Sequence, residues 1–242
     1  MTHILVISDI HANLTALRAV LEAAGDVDAT WCLGDLVGYG PDPNECIELV
    51  RSIENLSCLI GNHDAAVIGS IDTIFFNREA RLSAQWVKSK ISKENALFLQ
   101  NLPERIIIGD ATLVHGSPRN PVWEYLLDAQ AAAINFSYFK TQLCFVGHTH
   151  VPVVYAIEEQ GDETMKKLDH NEMIPLKQRL ILNPGSVGQP RDRDKRASYA
   201  IYNPEQKTWE AYRVAYDISG VQERIVAAKL PLRHAQRLAE GW

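Results

Sequence analysis

His3 to Asn13 reads HILVISDIHAN. The first part, His3 to Ser8, is a short apolar run with β-branched residues, the pattern of a buried strand. The apolar pattern then breaks on Asp9, His11 and Asn13, and a helix follows with Leu14, Leu17 and Leu21 on one face. Asn13 stands where that helix needs an N-cap. Outward from here the pattern repeats. Thr30 to Leu33 is a second strand, followed by the Gly/Pro-rich loop GDLVGYGPDP and a helix near Asn44 to Ile53; Leu56 to Ile60 is a third strand. A β-α-β-α-β run predicts parallel strands joined by right-handed crossovers.

Asn77 to Gln100 reads as two helices, Arg105 to Ile108 and Thr112 to His115 as strands, Ala129 to Phe139 as a helix and Leu143 to Val146 as a strand. The last third changes character. Val153 to Ile157, Arg179 to Leu182, Ser198 to Tyr202 and Trp209 to Val214 read as strands of an antiparallel element. The polar stretch Glu158 to Asn171 is the candidate mobile hairpin tip, and Ile218 to Trp242 a helical tail broken by Pro231. No composition break divides the chain, so one domain over residues 1–242 is expected, its helical tail covering about 218–242.

Five motifs each follow a predicted strand: SDIHAN (Ser8 to Asn13), GD (Gly34-Asp35), GNHD (Gly61 to Asp64), HG (His115-Gly116) and GHTH (Gly147 to His150). In open α/β sheets, sites form at the carboxyl ends of strands. The motifs supply Asp9, His11, Asp35, Asn62, His115, His148 and His150, a set that can hold two divalent metals side by side, with His63 as an extra imidazole. Asp35, after a sharp glycine turn, suits a bridging carboxylate. On an extended segment, the x-spaced pairs Asp9/His11 and His148/His150 would share one face. Carboxylate, amide and imidazole donors point to Mn or Fe, with Co, Ni or Zn as further candidates. Two metals about 3.5–4 Å apart clamp a phosphate and share a hydroxide nucleophile. His63 is placed to protonate or stabilise the leaving oxygen, with Asp64 expected to orient it.

Composition narrows the classes. The chain has 242 residues, 46% hydrophobic and 22% charged, with net charge −6 from 24 basic and 30 acidic residues. An acidic balance disfavours non-specific nucleic-acid binding. No apolar run has the length of a membrane span, and the first strand opens without a basic region ahead of it, so a cytoplasmic protein is expected. Cys32, Cys58 and Cys144 lie in apolar runs and, with Cys46, form no C-x-x-C pair, as buried thiols in a reducing compartment do.

Taken together and in this order, the five motifs resemble the calcineurin-like metallophosphoesterase superfamily from Met1 to about Tyr202. NPGSVGQPRD (Asn183 to Asp192) is similar to the closing segment of its small bacterial phosphodiesterase branch. The resemblance implies an α/β fold, a four-layer αββα sandwich of mixed sheets with the metals at the strand C-terminal ends. By the same resemblance, Asp9, His11, Asp35 and His150 bind one metal, Asp35, Asn62, His115 and His148 bind the other, and His63 is the transition-state histidine. Relatives similar to serine/threonine protein phosphatases and symmetrical diadenosine tetraphosphatases carry an arginine where this chain has Tyr39. Loss of that clamp disfavours tight monoester binding. Retention of His63 keeps diester, monoester and dinucleotide polyphosphate substrates in view.

The expected partner is thus a small phosphate-ester or nucleotide substrate, with no membrane; a homo-oligomer is left open, because Leu230, Leu232, Leu238 and Trp242 could pack on the core or on a second subunit. Asn13 divides between helix cap and phosphate contact. Arg119, after the HG motif, is a candidate phosphate clamp. The alternation from Arg191 to Arg196 reads as a self-neutralised solvated loop, or else as an anion-attracting rim. Tyr39, Phe75, Phe76, Trp123 and Tyr125 could stack on a base, with core or rim packing as the simpler role. Two other classes deserve comparison. A non-catalytic scaffold would have shed ligands, and this chain has shed none. A metal-dependent nuclease would need a basic groove or a capping domain.

Overall fold

The computed structural model describes residues 2–158 and 160–242. Its first half runs β1 (Ile4–Ile7), α1 (Leu14–Ala24), β2 (Ala29–Cys32), α2 (Pro43–Arg51), β3 (Leu56–Cys58), α3 (Asn62–Ile68), α4 (Arg78–Lys90), α5 (Lys93–Gln100), β4 (Arg105–Ile108) and β5 (Ala111–Val114). There follow α6 (Ala129–Asn135), β6 (Leu143–Phe145), β7 (Pro152–Ile157), β8 (Glu163–Lys167), β9 (Glu172–Pro175), β10 (Leu180–Pro184), β11 (Ala197–Asn203), β12 (Thr208–Val214), α7 (Ile218–Ala227) and α8 (Leu232–Glu240).

The strands form two mixed sheets, in the orders β3-β2-β1-β11-β12-β9 and β4-β5-β6-β10-β7-β8. Side-chain alternation explains why they stack. In β1, Leu5 and Ile7 join the helix-side core, while Ile4 and Val6 enter the core between the sheets. In β6, Leu143 and Phe145 face that same inner core, and Cys144 faces α6. A period of two buried on both faces needs an apolar partner on each side. The result is four layers. Helices α1 to α5 cover the first sheet through Leu17, Ile47, Val67, Val87 and Leu99, and α6 covers the second through Ala132.

The β1-β2-β3 pairings are parallel, as expected from the β-α-β-α-β run. In the second sheet β5, β6 and β10 are also parallel. Both sheets therefore deliver their motif loops to one edge. The last third differs from expectation. Its strands do not form one antiparallel element: β7 and β10 join the second sheet, while β11 and β12 join the first. β7, β10 and β11 are buried along almost their whole length, so nothing local assigns them to a sheet. Glu158 to Asn171 is also mostly not a tip: β8 pairs with β7 over Glu163–Lys167, leaving a short turn in which Glu159 lies outside the described residues. The tail is two helices meeting at Pro231, and they pack together through Val221, Ile225, Leu230, Ala235 and Leu238 against Trp86 and Tyr216.

Candidate metal centre

Asp9 lies two residues beyond the end of β1, Asp35 three beyond β2, Asn62 at the start of α3 after β3, His115 directly after β5 and His148 three beyond β6. The chain must turn sharply at each strand end to aim these side chains at one point. Asp9, His11, Asp35, His148 and His150 all adopt φ between 49° and 65°. This left-handed conformation is uncommon for residues other than glycine and costs free energy that surrounding structure must offset. The extended-segment account of the x-spaced pairs is therefore corrected: each pair converges through two left-handed residues, not along a strand. Gly34 makes the second turn possible. A Cβ there would lie 2.7 Å from the Gly61 amide nitrogen, so only glycine lets the GD and GNHD loops pack together.

The seven expected ligands are all buried and meet in two adjoining groups. In the first, Nε2 of His11 and Nε2 of His150 are 3.1 Å apart, and Asp9 Oδ1 is 3.4 Å from His150 Nε2 and 3.9 Å from His11 Nε2. In the second, His115 Nε2 is 3.2 Å from both His148 Nδ1 and Asn62 Oδ1. Asp35 belongs to both: its Oδ2 lies 3.6 Å from His11 Nε2 and 3.4 Å from His115 Nε2. Asp35 Oδ1 accepts from the His63 amide at 2.8 Å, whereas Oδ2 is buried and has no hydrogen-bond partner.

Outer partners fix the tautomers. A carbonyl can only accept, so His11 Nδ1–H donates to Val37 O at 3.1 Å, His115 Nδ1–H to Leu33 O at 2.8 Å and His150 Nδ1–H to Gln189 O at 2.6 Å. Each ring then points its Nε2 into the cluster. His148 is reversed, with Nε2–H donating to Trp123 O at 3.2 Å and Nδ1 facing inward. Metal-ligating imidazoles are held in this way, by an acceptor on the ring nitrogen that faces away from the ion. Lone pairs facing each other across about 3 Å repel unless a cation lies among them, so the donor set fits a divalent metal. The described His/Asp donors form three such groups: Asp9, His11 and His150; His11, Asp35 and His63; Asp35, His115 and His148.

Electrostatics point the same way. Burial pushes Asp9 up to about 7 and His11, His148 and His150 well below the usual imidazole range. Neutral imidazole is the ligating form. For His115, burial opposes charge, but the Asp35 carboxylate overrides it and raises the ring to about 9. Burial likewise opposes the charge of Asp35, yet His115 and His63 hold it well below the usual carboxylate range. The cage is thus short of positive charge, which a divalent ion supplies.

His63 is buried beside this cage. Its Nε2 lies 3.0 Å from the Tyr39 hydroxyl, and its Nδ1 has no partner. Arg191 donates to the same hydroxyl at 3.4 Å. A guanidinium only donates, so the Tyr39 O–H is free to donate to His63 Nε2, which leaves His63 Nδ1–H as an uncommitted donor. Burial lowers His63 to about 4, so the ring is neutral near pH 7.

Two expected roles are corrected, and the choice left open at Asn13 falls to the helix cap. Asp64 does not orient His63: its Oδ1 accepts from the Val37 amide at 3.1 Å and its Oδ2 from the Gly61 amide at 3.0 Å, joining two motif loops. Tyr39 holds the ring instead. Arg119 is outside the cluster, forked on Glu124 through both Nε and Nη2. Asn13 spends its amide on structure, accepting from Ala16 N at 3.1 Å as the cap of α1 and donating to Gly188 O at 3.0 Å. The loop after Arg191 is not self-neutralised as a unit either. Asp194 pairs with Arg196 at 2.6 Å, but Asp192 pairs with Arg213, which leaves Arg191 turned toward Tyr39. Sequence reading missed the roles of Tyr39 and Arg191. The signals were present: Tyr39 at a position where relatives carry a cation, and Arg191 closing the NPGSVGQPRD segment.

The comparisons fit this geometry. The family model for the calcineurin-like phosphoesterase superfamily domain matches residues 2–207. The chain is 41% identical over 247 aligned residues to the uncharacterized protein MJ0912 of Methanocaldococcus jannaschii, covering 98% of each. The crystal structure of a metallophosphoesterase from Sphaerobacter thermophilus is similar throughout, with TM-score 0.92, 48% identity and coverage of 100% of this chain and 99% of that one. A symmetrical bis(5'-nucleosyl)-tetraphosphatase of Psychromonas ingrahamii is 33% identical over 84 residues, 33% of this chain and 30% of that protein. The chain belongs to the calcineurin-like phosphoesterase superfamily. Among the described residues no helix is long and apolar enough to cross a membrane.

Proposed function

We propose that this protein is a dinuclear metal-dependent phosphoesterase acting on phosphodiester or nucleotide-type substrates. The observation that carries this is Asp35 Oδ2, a buried carboxylate oxygen without a hydrogen bond that sits within 3.6 Å of one histidine from each ligand group. Such an atom is costly to bury unless something charged takes it up. Asp9, His11, Asp35 and His150 would hold one ion, and Asp35, Asn62, His115 and His148 the second. With these donors Mn or Fe is favoured. When bound, such ions neutralise phosphoryl oxygens and lower the pKa of water to about 7, so that a nucleophile exists at neutral pH.

The chain's own residues supply the rest. The carbonyls of Val37, Leu33, Gln189 and Trp123 lock the ligand rings, so no reorganisation is needed when a substrate arrives. His63, held by Tyr39, offers its Nδ1–H to the leaving oxygen as charge develops there. The Arg191 guanidinium, which donates to the Tyr39 hydroxyl at 3.4 Å, adds positive charge next to His63. The likeness to a symmetrical bis(5'-nucleosyl)-tetraphosphatase, over a third of the chain, is what keeps nucleotides among the proposed substrates.

Metal-stripped protein given Mn²⁺ is expected to turn over bis(p-nitrophenyl) phosphate, and His63→Ala to keep its metal while losing roughly 10²–10³-fold in kcat, the range for removing one donor to a developing oxyanion. Inactivity with Mn²⁺, Fe²⁺, Co²⁺ and Ni²⁺ against diesters, monoesters and dinucleotides would reject the proposal.

A further inference from the structure

Helix α8 brings Arg237 near Arg191 and Tyr39, and Arg233 stands one turn before Arg237. None of the three has a carboxylate within ion-pair distance among the described residues, although Arg51, Arg119, Arg196, Arg213 and Arg224 all do. Arg193, Arg233 and Arg237 lie around one ring, with guanidinium carbons 5.1, 5.9 and 5.5 Å from the centre of Trp242. Burial and then the charge of Arg191 push Arg237 below its usual range. In a chain of net charge −6, this local excess of cations is self-repulsive and calls for an anion.

The donors also lack partners. Nε of Arg191 and Nε of Arg237 are buried without a hydrogen bond, and so is Nδ1 of His234, whose ring is 1% exposed. His234 Nε2 lies 3.3 Å from the Glu79 carbonyl and donates there, so Nδ1 is an acceptor suited to a protonated phosphate oxygen. Arg233, His234 and Arg237 line a cavity of about 120 Å³ with Asn77 and Glu79. Glu79 offsets part of the charge. The volume is several times what one water requires. Arg191 does not line this cavity; His234, which does, leads toward the reaction through Tyr39, whose ring centre is 4.9 Å from that of His234 and 4.4 Å from that of His63.

We propose that Arg191, Arg233 and Arg237 form a binding subsite for a second phosphate, so that the protein prefers esters carrying a phosphoryl group beyond the one under attack. Guanidinium forks match phosphate oxygens. The subsite draws on α8, which lies beyond residue 207, where the family match ends. It deepens the phosphoesterase proposal and rests on it for the first phosphate.

The test is calorimetric, on the Mn²⁺-loaded full chain in excess Mn²⁺, with inorganic phosphate and non-hydrolysable imidodiphosphate as probes. Wild type should bind imidodiphosphate at least tenfold more tightly than phosphate. Arg233→Gln/Arg237→Gln should reduce that ratio by tenfold or more, and Arg233→Lys/Arg237→Lys should restore most of it. The Lys pair guards against a fold defect, since it keeps the charge and the stem. Equal affinity for the two probes in wild type, or an unchanged ratio in the Gln pair, would overturn the subsite. Absence of turnover with an intact affinity ratio would reject the hydrolase proposal and leave the subsite standing.

Discussion

Tyr39→Phe removes one oxygen atom and leaves the ring packing in place. That oxygen is 3.0 Å from His63 Nε2 and 3.4 Å from an Arg191 nitrogen. Burial raises its pKa, so the hydroxyl stays a neutral donor at any working pH. The His63 ring has no other side-chain hydrogen bond, because its Nδ1 is unpartnered. A neutral bond contributes about 0.5–1.5 kcal/mol and one to a charged group about 1.5–3. If the neutral His63 ring hydrogen-bonds to the charge developing on the leaving oxygen, its Nε2 becomes a more negative acceptor for the Tyr39 O–H, and the upper range applies in the transition state. Because about 1.4 kcal/mol is tenfold in rate, kcat should fall roughly 10–100-fold. The ligand cage does not include this oxygen, so metal content should be unchanged. The assay is steady-state hydrolysis of a chromogenic diester in Mn²⁺ by four proteins: wild type, Tyr39→Phe, His63→Ala and the double variant. If Tyr39 works through His63, the double variant should be no slower than His63→Ala. Additive losses, or a Tyr39→Phe kcat within twofold of wild type, would refute the coupling.

Two further outcomes follow from the cage. His115 has a folded-state pKa raised to about 9 from an ordinary 6.5, so from about pH 7 to 9 the folded metal-free chain holds more protons there than the unfolded one. Its contribution is complete below 6.5 and is lost through 9, so metal-free protein should melt at a lower temperature at pH 9 than at pH 7, while Mn²⁺ affinity rises over the same window as the competing proton leaves; a flat or rising melting temperature would contradict this. Gly61→Ala would bring a Cβ to 2.1 Å from Asp35 Oδ1, displacing the shared carboxylate, and elemental analysis should find both ions lost; full metal content in that variant would show that the loop can yield.

The fold was legible where chemistry and pattern coincide. HILVIS and its repeats fixed the parallel strands, and the rule that sites lie at strand ends placed all seven ligands on one edge before any geometry was known. The sheet membership of β7, β10, β11 and β12 was not legible, because strands apolar and buried on both faces, as β7, β10 and β11 are, can serve either sheet. Strands β8 and β9 were hidden by polar, exposed side chains such as Glu163, Lys166 and Lys167 on an edge of the sheet. At the site, residue type marked the ligands, but not the partners of flexible side chains. Arg119 and Arg191 both follow a motif and look alike in sequence; the Glu124 carboxylate captures the first, whereas the second meets only the neutral side chains of Gln189 and Tyr39. Asp64 showed its importance but not its role, since a carboxylate at the third position of a helix can serve backbone amides as readily as a neighbouring ring.

Elemental analysis paired with turnover tests the central claim most directly. Protein stripped with a chelator, reloaded with Mn²⁺ and desalted should carry two ions per chain and regain diester hydrolysis, and Asp35→Ala treated in parallel should carry neither, as expected of a carboxylate shared by both ions. Wild type that retains no ion after saturation with Mn²⁺, Fe²⁺, Co²⁺, Ni²⁺ or Zn²⁺, or an Asp35→Ala variant that keeps both, would contradict the account.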